Sequence, residues 1–108
     1  MSTAPKPQME VQDPVQVDSK HYKVEFENEK VRVLRINYGA LEKSVMHSHP
    51  DSVAIFQSDI HCRFTLPDGK TEEHRFRPGE TLYTPAGSHL PENLSNQPMD
   101  VILVELKP

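Results

Sequence analysis

The sequence predicts an all-β protein, built as an antiparallel sandwich or barrel. Three observations predict this class. Short apolar segments alternate with polar residues at a period of two, which is typical of strands with one buried face. Turn signals separate these segments about every 8–12 residues, so that about eight strands result. No window of about eleven or more residues has the i, i+3, i+4, i+7 apolar spacing of an amphipathic helix.

The first part of the chain is rich in proline and is predicted to lie outside the folded domain. Residues 1–18 contain Pro5, Pro7 and Pro14, each of which removes a backbone donor and disfavours helix, so we expect an extended or disordered N-terminal arm. Within it, Val15 and Val17 have the spacing of one short edge strand. Residues 19–108 are then predicted to form a single domain, because 108 residues leave no room for a second one.

The strands follow in order after this arm. Tyr22, Val24 and Phe26 alternate with charged residues and predict the first strand. Pro67-Asp68-Gly69 separates two later strands and predicts a hairpin, because Pro presets φ and Gly accepts a positive φ. The full set of predicted strands covers residues 22–26, 31–38, 45–49, 53–56, 60–66, 71–77, 81–84 and 101–106.

Composition and charge argue against several classes of protein. The net charge of −4 disfavours a nucleic-acid partner, and no apolar run approaches the ~20 residues of a membrane span. The first ten residues contain no apolar stretch like that of a secretory signal, so we expect a cytoplasmic protein. The single Cys excludes an internal disulfide framework and an all-cysteine zinc site. Cys62 alternates with Phe64 and Leu66, which predicts a buried core position.

His47-Ser48-His49 is the first motif with chemistry. Residues i and i+2 of a strand point to the same face, so the two imidazoles can converge on one metal ion. Pro50 follows directly and favours an extended conformation at His49, which keeps the pair on strand geometry. The alternative is a pair of histidines facing solvent.

A second motif runs from Gly79 to Asn93 and contains a strand, a Pro-Gly turn and a third histidine. Its defining residues are Gly79, Pro85, Gly87, His89 and Asn93. Together with Gly39, His47 and His49 before it, this arrangement resembles the two conserved motifs of the cupin superfamily. The second motif is one residue shorter than the common form between Gly87 and His89. The resemblance covers about residues 22–106.

This resemblance implies a double-stranded β-helix, or jelly-roll barrel, with a metal site at its mouth. The equivalents of His47, His49 and His89 bind a divalent transition metal in such proteins. Three imidazoles suit Fe, Ni, Mn, Zn or Cu, and they leave positions open for water or substrate.

The metal-binding cupins usually add a glutamate shortly after the first histidine pair, and here Ser52 stands at that position. Asp51 is adjacent, but on a regular strand it points to the opposite face. Three alternatives follow: a site of three histidines, the same site assisted by Asp51, or a site that has lost its metal. Without a carboxylate the ion would keep its full charge and act as a stronger Lewis acid.

Other residues are weaker candidates. Tyr83 lies on the strand before the Pro-Gly turn of the second motif and is a candidate hydrogen-bond or proton donor, with packing as the alternative. His74 shares strand parity with Phe76 and is a candidate catalytic residue that faces inward. Glu92 and Asn93 are candidates for orienting His89, with a loop role as the alternative. An inward arginine could hold an acidic substrate; the candidates are Arg32, Arg35, Arg63, Arg75 and Arg77.

The sequence therefore predicts a small cupin that binds a divalent transition metal through His47, His49 and His89, together with a small-molecule ligand or substrate. Dioxygenase-like oxidoreductase or isomerase chemistry is typical of the superfamily. A non-catalytic binding or sensor protein and a metal-free isomerase are the alternatives. A homodimer is also expected, with the segment at Val15 and Val17 adding a strand to the partner's sheet.

Overall fold

The computed structural model describes residues 12–108, which form nine strands and one short helix. A helical turn, α1, comes first, and the strands follow it without another helix in the described residues. The elements in chain order are α1 (Pro14–Val17), β1 (Tyr22–Glu27), β2 (Val31–Tyr38), β3 (His47–His49), β4 (Ser52–Phe56), β5 (Ile60–Thr65), β6 (Thr71–Phe76), β7 (Thr81–Thr84), β8 (Gly87–Asn93) and β9 (Met99–Leu106).

The strands form two antiparallel sheets with the core between them. One sheet has five strands in the order β1-β2-β9-β4-β7, and the other has four in the order β3-β8-β5-β6. Alternate residues of β2, β4 and β9 are buried, as Leu34, Phe56 and Leu103 show, because a strand turns successive side chains to opposite faces. The predicted all-β class is confirmed. No helix within residues 12–108 combines the length and the apolar character that crossing a membrane requires.

The hairpin predicted around Pro67-Asp68-Gly69 is confirmed. Strands β5 and β6 pair antiparallel from Ile60 opposite Phe76 to Thr65 opposite Thr71. Gly69 has φ of 90°, a value that favours glycine because it has no Cβ. The turn residues therefore fix the register of this hairpin.

The strand expected at Val15 and Val17 is wrong, because this segment is the helical turn α1. Pro14 occupies the start of the turn, where its missing N–H costs nothing. The Asp13 carboxylate caps the turn by accepting a hydrogen bond from the Val15 N–H at 3.0 Å. Residues 1–11 of the predicted arm lie outside the described residues, and the domain boundary at residue 18 stays a prediction.

Strand β8 is the element that the sequence pattern did not indicate. It contains Pro91, which pairs with Phe64 of β5 and has no N–H to donate to the ladder. The carbonyl of Pro91 instead accepts a hydrogen bond from the Ser44 N–H at 2.9 Å. Because β8 carries His89, this strand decides where the third imidazole lies.

Candidate metal centre

Strand pairing brings the three histidines of the two motifs together. His47 and His49 are two residues apart on β3 and lie on the same face. His47 is directly opposite His89 in the antiparallel pair of β3 and β8. A hydrogen bond of 2.7 Å between the Ser48 and Ser88 hydroxyls joins the same two strands. The register between β3 and β8 therefore places three imidazoles at one point.

The three rings are close to one another and nearly perpendicular. Ring centroids are separated by 4.9 Å for His47 and His49, 4.9 Å for His47 and His89, and 5.2 Å for His49 and His89, with interplanar angles of 90°, 89° and 83°. One nitrogen from each ring lies within 4.8 Å of the other two. Within residues 12–108, no other group of three His, Cys, Asp or Glu side chains has a spacing suited to a metal ion.

The hydrogen bonds of the imidazole rings involve Nδ1 and leave Nε2 free to bind a metal. The Nδ1 of His47 is 2.8 Å from the Val45 carbonyl, so Nδ1 carries the proton and donates it. The Nδ1 of His49 lies 2.8 Å from the Glu105 carboxylate. The Nε2 atoms of His47 and His89 are buried and have no hydrogen-bond partner. Buried polar atoms normally find a partner, and a shared cation would supply one here. The donor set therefore fits a divalent transition metal.

Burial keeps two of these imidazoles neutral. Burial, and next the neighbouring imidazole of His49, lower the pKa of His47 to about 4. Burial, and next the two other imidazoles, lower the pKa of His89 to about 2. Since a metal binds only the unprotonated ring, both groups are ready to bind at neutral pH.

A buried carboxylate, Glu105, orients His49 from behind. Glu105 is 3% exposed, and its other carboxylate oxygen accepts a hydrogen bond from the Arg32 Nε at 2.8 Å. Arg32 in turn donates to both carboxylate oxygens of Asp13, at 2.9 and 3.0 Å. Burial alone would raise the pKa of Glu105, but the hydrogen bonds from His49 and Arg32 lower it below its usual value. The carboxylate is therefore ionised and holds His49 in one orientation.

The sequence reasoning missed Glu105, although a signal for it exists. Glu105 shares strand parity with Val101 and Leu103, both buried, in an otherwise apolar strand. A charged residue at an inward position needs a partner. Glu105 is also the cross-strand neighbour of Ser52, the position where a cupin usually has its glutamate. The carboxylate near this cluster thus comes from β9, and it acts by orienting the ring of His49.

Ser52 and Asp51 do not extend the histidine cluster. Ser52 is fully buried, and its hydroxyl donates to the Pro50 carbonyl at 2.7 Å. Asp51 is exposed, and its carboxylate accepts a hydrogen bond from the Ala86 N–H at 2.8 Å. Asp51 therefore stabilises the turn between β7 and β8 and lies outside the histidine cluster. Of the three alternatives, assistance from Asp51 is the one that this geometry does not support.

A second hydrogen-bonded chain stands behind His47. The Ser44 hydroxyl lies 3.4 Å from His47 Nδ1 and donates to the Asp18 carboxylate. Asp18 also bonds to Nδ1 of His21 at 2.8 Å, and Nε2 of His21 bonds to Glu42 at 2.9 Å. This chain connects the buried cluster to the partly exposed carboxylate of Glu42.

Asn93 and Glu92 make side-chain contacts that do not involve His89. The buried Asn93 amide donates to the carbonyls of Gly39 and Gln97, at 3.0 and 2.8 Å. Its carbonyl accepts from the Ser95 N–H at 2.9 Å. Glu92 accepts from Arg63, its cross-strand partner on β5, at 3.5 Å. The contacts therefore show a loop role for Asn93 and a cross-strand pair for Glu92, rather than the orientation of His89.

The remaining candidate residues surround a cavity beside the cluster. His74 lines it and pairs with Glu72 at 3.3 Å. Tyr83 lies at its mouth and is 56% exposed. Partial burial, and next Asp51, raise the pKa of Tyr83. Cys62 is 2% exposed, which confirms the predicted core position, and burial raises the pKa of its thiol to about 12.

Comparison with solved structures identifies similar folds. A cupin domain from Bordetella pertussis Tohama I matches with a TM-score of 0.75 at 21% identity, covering 81% of this chain and 92% of that chain. An RmlC-like cupin family protein with a double-stranded β-helix fold, from Methanocaldococcus jannaschii, matches with a TM-score of 0.62 at 22% identity, covering 82% and 83%. A sugar phosphate isomerase of the cupin superfamily, from Silicibacter pomeroyi DSS-3, matches with a TM-score of 0.53 at 19% identity, covering 73% and 52%.

These similarities concern the fold. No protein-family model matches the sequence, and no curated protein matches it significantly. The agreement with these cupin structures nevertheless extends over 81% and 82% of this chain. The chain therefore has the cupin fold, a small all-β double-stranded β-helix.

Proposed function

We propose that this chain binds one divalent transition-metal ion through His47, His49 and His89 and holds a small organic molecule in the adjacent cavity. The observation that carries the proposal is the pair of buried Nε2 atoms, on His47 and His89, without hydrogen-bond partners. The Nδ1 contacts of His47 and His49 fix these two rings with Nε2 free to bind. Fe, Ni, Mn, Zn and Cu all accept such a set of imidazoles.

A metal ion held there would polarise a bound molecule or activate water or O2. We propose dioxygenase-like oxidoreductase or isomerase chemistry for the site, with His74 and Tyr83 as candidate proton carriers. His74 supports this role because it lines the cavity together with its partner Glu72. One similar structure is a sugar phosphate isomerase, and that activity is stated of that protein alone.

The alternatives differ in what the site would do. A metal-free isomerase would need a histidine as general base, and a base works best when its pKa lies near the working pH. The lowered pKa values of His47 and His89 therefore disfavour that mechanism. A non-catalytic sensor would use the same metal and cavity, and turnover of a bound molecule separates it from an enzyme.

Metal analysis of the purified protein tests the proposal directly. We expect about one transition-metal ion per chain, and we expect His47→Ala and His89→Ala to lower the content to near zero, because each removes one of three ligands. His61→Ala is the matched control, since His61 is a partly exposed imidazole paired with Glu73 at 2.6 Å. Elemental analysis gives the content and circular dichroism the fold. A folded wild-type protein without metal, even after incubation with each ion, would contradict the proposal.

We also propose a cytoplasmic homodimer, with the outer face of the five-stranded sheet as the contact. Phe26, Val33, Val104 and Val53 lie in register on β1, β2, β9 and β4 and form an apolar row on this face. Phe26 is 54% exposed, and burial of such a row against the same row of a second copy is favourable. The neighbouring Arg35 is ion-paired with Glu25 and Asp100, so that this flank does not repel a second copy.

Light scattering tests this contact. We expect the mass of a dimer for the wild-type chain and a weaker dimer for Phe26→Ser, because the serine removes the largest exposed apolar side chain of the row. Leu41→Ser, which removes a 64% exposed apolar side chain elsewhere, serves as the control. A monomeric wild-type protein at micromolar concentration would refute the proposed dimer.

A further inference from the structure

The cavity beside the histidine cluster has an almost entirely apolar wall. It lies between the two sheets, has a volume of about 390 Å³ and reaches His49 and His89. Cavities of ~300–1,000 Å³ accommodate small organic ligands. The wall includes Phe56, Phe64, Phe76, Ile60, Met99 and Leu103.

Aromatic rings are stacked along one side of this cavity. The rings of Phe56 and Phe76 are stacked at 4.0 Å with an interplanar angle of 7°. The ring of His74 is nearly parallel to Phe76 at 5.9 Å, with an angle of 13°. Parallel rings offer an extended apolar surface to a planar or alkyl ligand.

The lining contains no lysine or arginine among the residues that the structure describes. Arg32 is paired with Asp13 and Glu105, Arg35 with Glu25 and Asp100, and Arg63 with Glu92. All of these contacts lie outside the cavity, so the arginine expected to hold an acidic substrate is not found in the cavity. The carboxylate that does line the cavity belongs to Glu72. An anion transferred from water into this space would lose its hydration without gaining a partner along the wall.

We infer that the ligand of this cavity is an uncharged molecule with an apolar, aromatic or alkyl body and one polar group directed toward His49 and His89. The inference rests on the proposed function in one respect only, which is the metal ion that would contact this polar group. The apolar body is recognised by the wall itself, so it binds with or without metal. A phosphorylated or sulfonated body is excluded by the same wall.

Two fluorescent probes that differ by one charged group test this inference. N-phenyl-1-naphthylamine is neutral, and 1-anilinonaphthalene-8-sulfonate has the same ring system with a sulfonate added. Both fluoresce more strongly in an apolar site. We expect the neutral probe to bind one site per chain about tenfold or more tightly than the sulfonate in chelated, metal-free protein, where no metal ion faces the cavity. Equal affinities, or tighter binding of the sulfonate, would overturn the inference.

Two variants locate the probes. Leu82 lines the cavity mouth and is 39% exposed, so Leu82→Arg adds a cation there with little cost to the core. We expect this variant to lose most of the preference for the neutral probe. Leu41→Asn removes a 64% exposed side chain at a residue with φ of 61°, which Asn tolerates, and is expected to leave both affinities unchanged. An unchanged preference in Leu82→Arg would place the probe elsewhere and overturn the assignment.

The outcome of this experiment is independent of the metal assignment. Neutral-probe binding in a protein that never takes up metal would contradict the proposed function and support the ligand class. Metal binding at one ion per chain together with tight sulfonate binding after chelation would support the metal site and contradict the ligand class. The two proposals can therefore fail separately.

Discussion

Replacing Glu105 with Ala is expected to lower the free energy of unfolding by about 2–4 kcal/mol and to weaken metal binding about 10–100-fold. The carboxylate accepts hydrogen bonds from His49 and Arg32, both at 2.8 Å, and is itself buried. Its removal leaves the Nδ1–H of His49 without an acceptor and Arg32 with Asp13 alone. Urea denaturation and titration of the metal-free protein with zinc measure the two effects.

Two further variants separate the charge of Glu105 from its shape. Glu105→Gln retains an acceptor for His49 but loses the charge, so we expect an effect on metal affinity that is smaller than that of Glu105→Ala. Glu27→Ala is the control, because Glu27 is an exposed carboxylate paired with Lys107 and such pairs contribute little. Unchanged zinc affinity in a folded Glu105→Ala protein would contradict the role assigned to this residue.

Replacing Asn93 with Ala is expected to destabilise the protein by about 2–4 kcal/mol while the metal content stays the same. Asn93 is fully buried and makes three hydrogen bonds, to Gly39, Gln97 and Ser95. The substitution leaves two carbonyls and one N–H without their side-chain partner. Because none of these bonds involves a histidine of the cluster, stability rather than metal binding should change.

Asn96→Ala provides the comparison for this second prediction, since Asn96 belongs to the loop that follows β8 and is exposed. We expect it to change the free energy of unfolding by less than about 0.5 kcal/mol. Chemical denaturation and elemental analysis on both variants give the two readouts. A loss of metal in Asn93→Ala, with stability unchanged, would show that Asn93 orients His89 after all.

Much of the architecture could be predicted because strand parity is a local property. The alternation in β2, β4 and β9 indicated which side chains are buried, and Pro67-Asp68-Gly69 fixed a hairpin. The pair His47 and His49 follows from the same period. Its meeting with His89 depends on the register of β3 against β8, which is a long-range property, and the resemblance to known motifs rather than periodicity predicted it.

The parts that could not be predicted depend on contacts between distant residues. The turn α1 forms where valine spacing suggested a strand, because the Asp13 cap and Pro14 act together and Asp13 is also held by Arg32. Strand β8 forms despite Pro91, which has no N–H to donate, and the Pro91 carbonyl accepts a hydrogen bond from the Ser44 N–H. Glu105 stands in an apolar strand, and its partner His49 is 56 positions away.

That separation has a consequence for how the protein matures during translation. The ribosome delivers His47, His49 and His89 before it delivers Glu105 on β9, the last strand described. A nascent chain in which β9 has not yet left the ribosome contains all three imidazoles but lacks Glu105, the acceptor that orients His49. Any ion captured at that stage would sit in a loose, exchangeable chelate, and selective loading would have to wait until this final strand has joined its sheet.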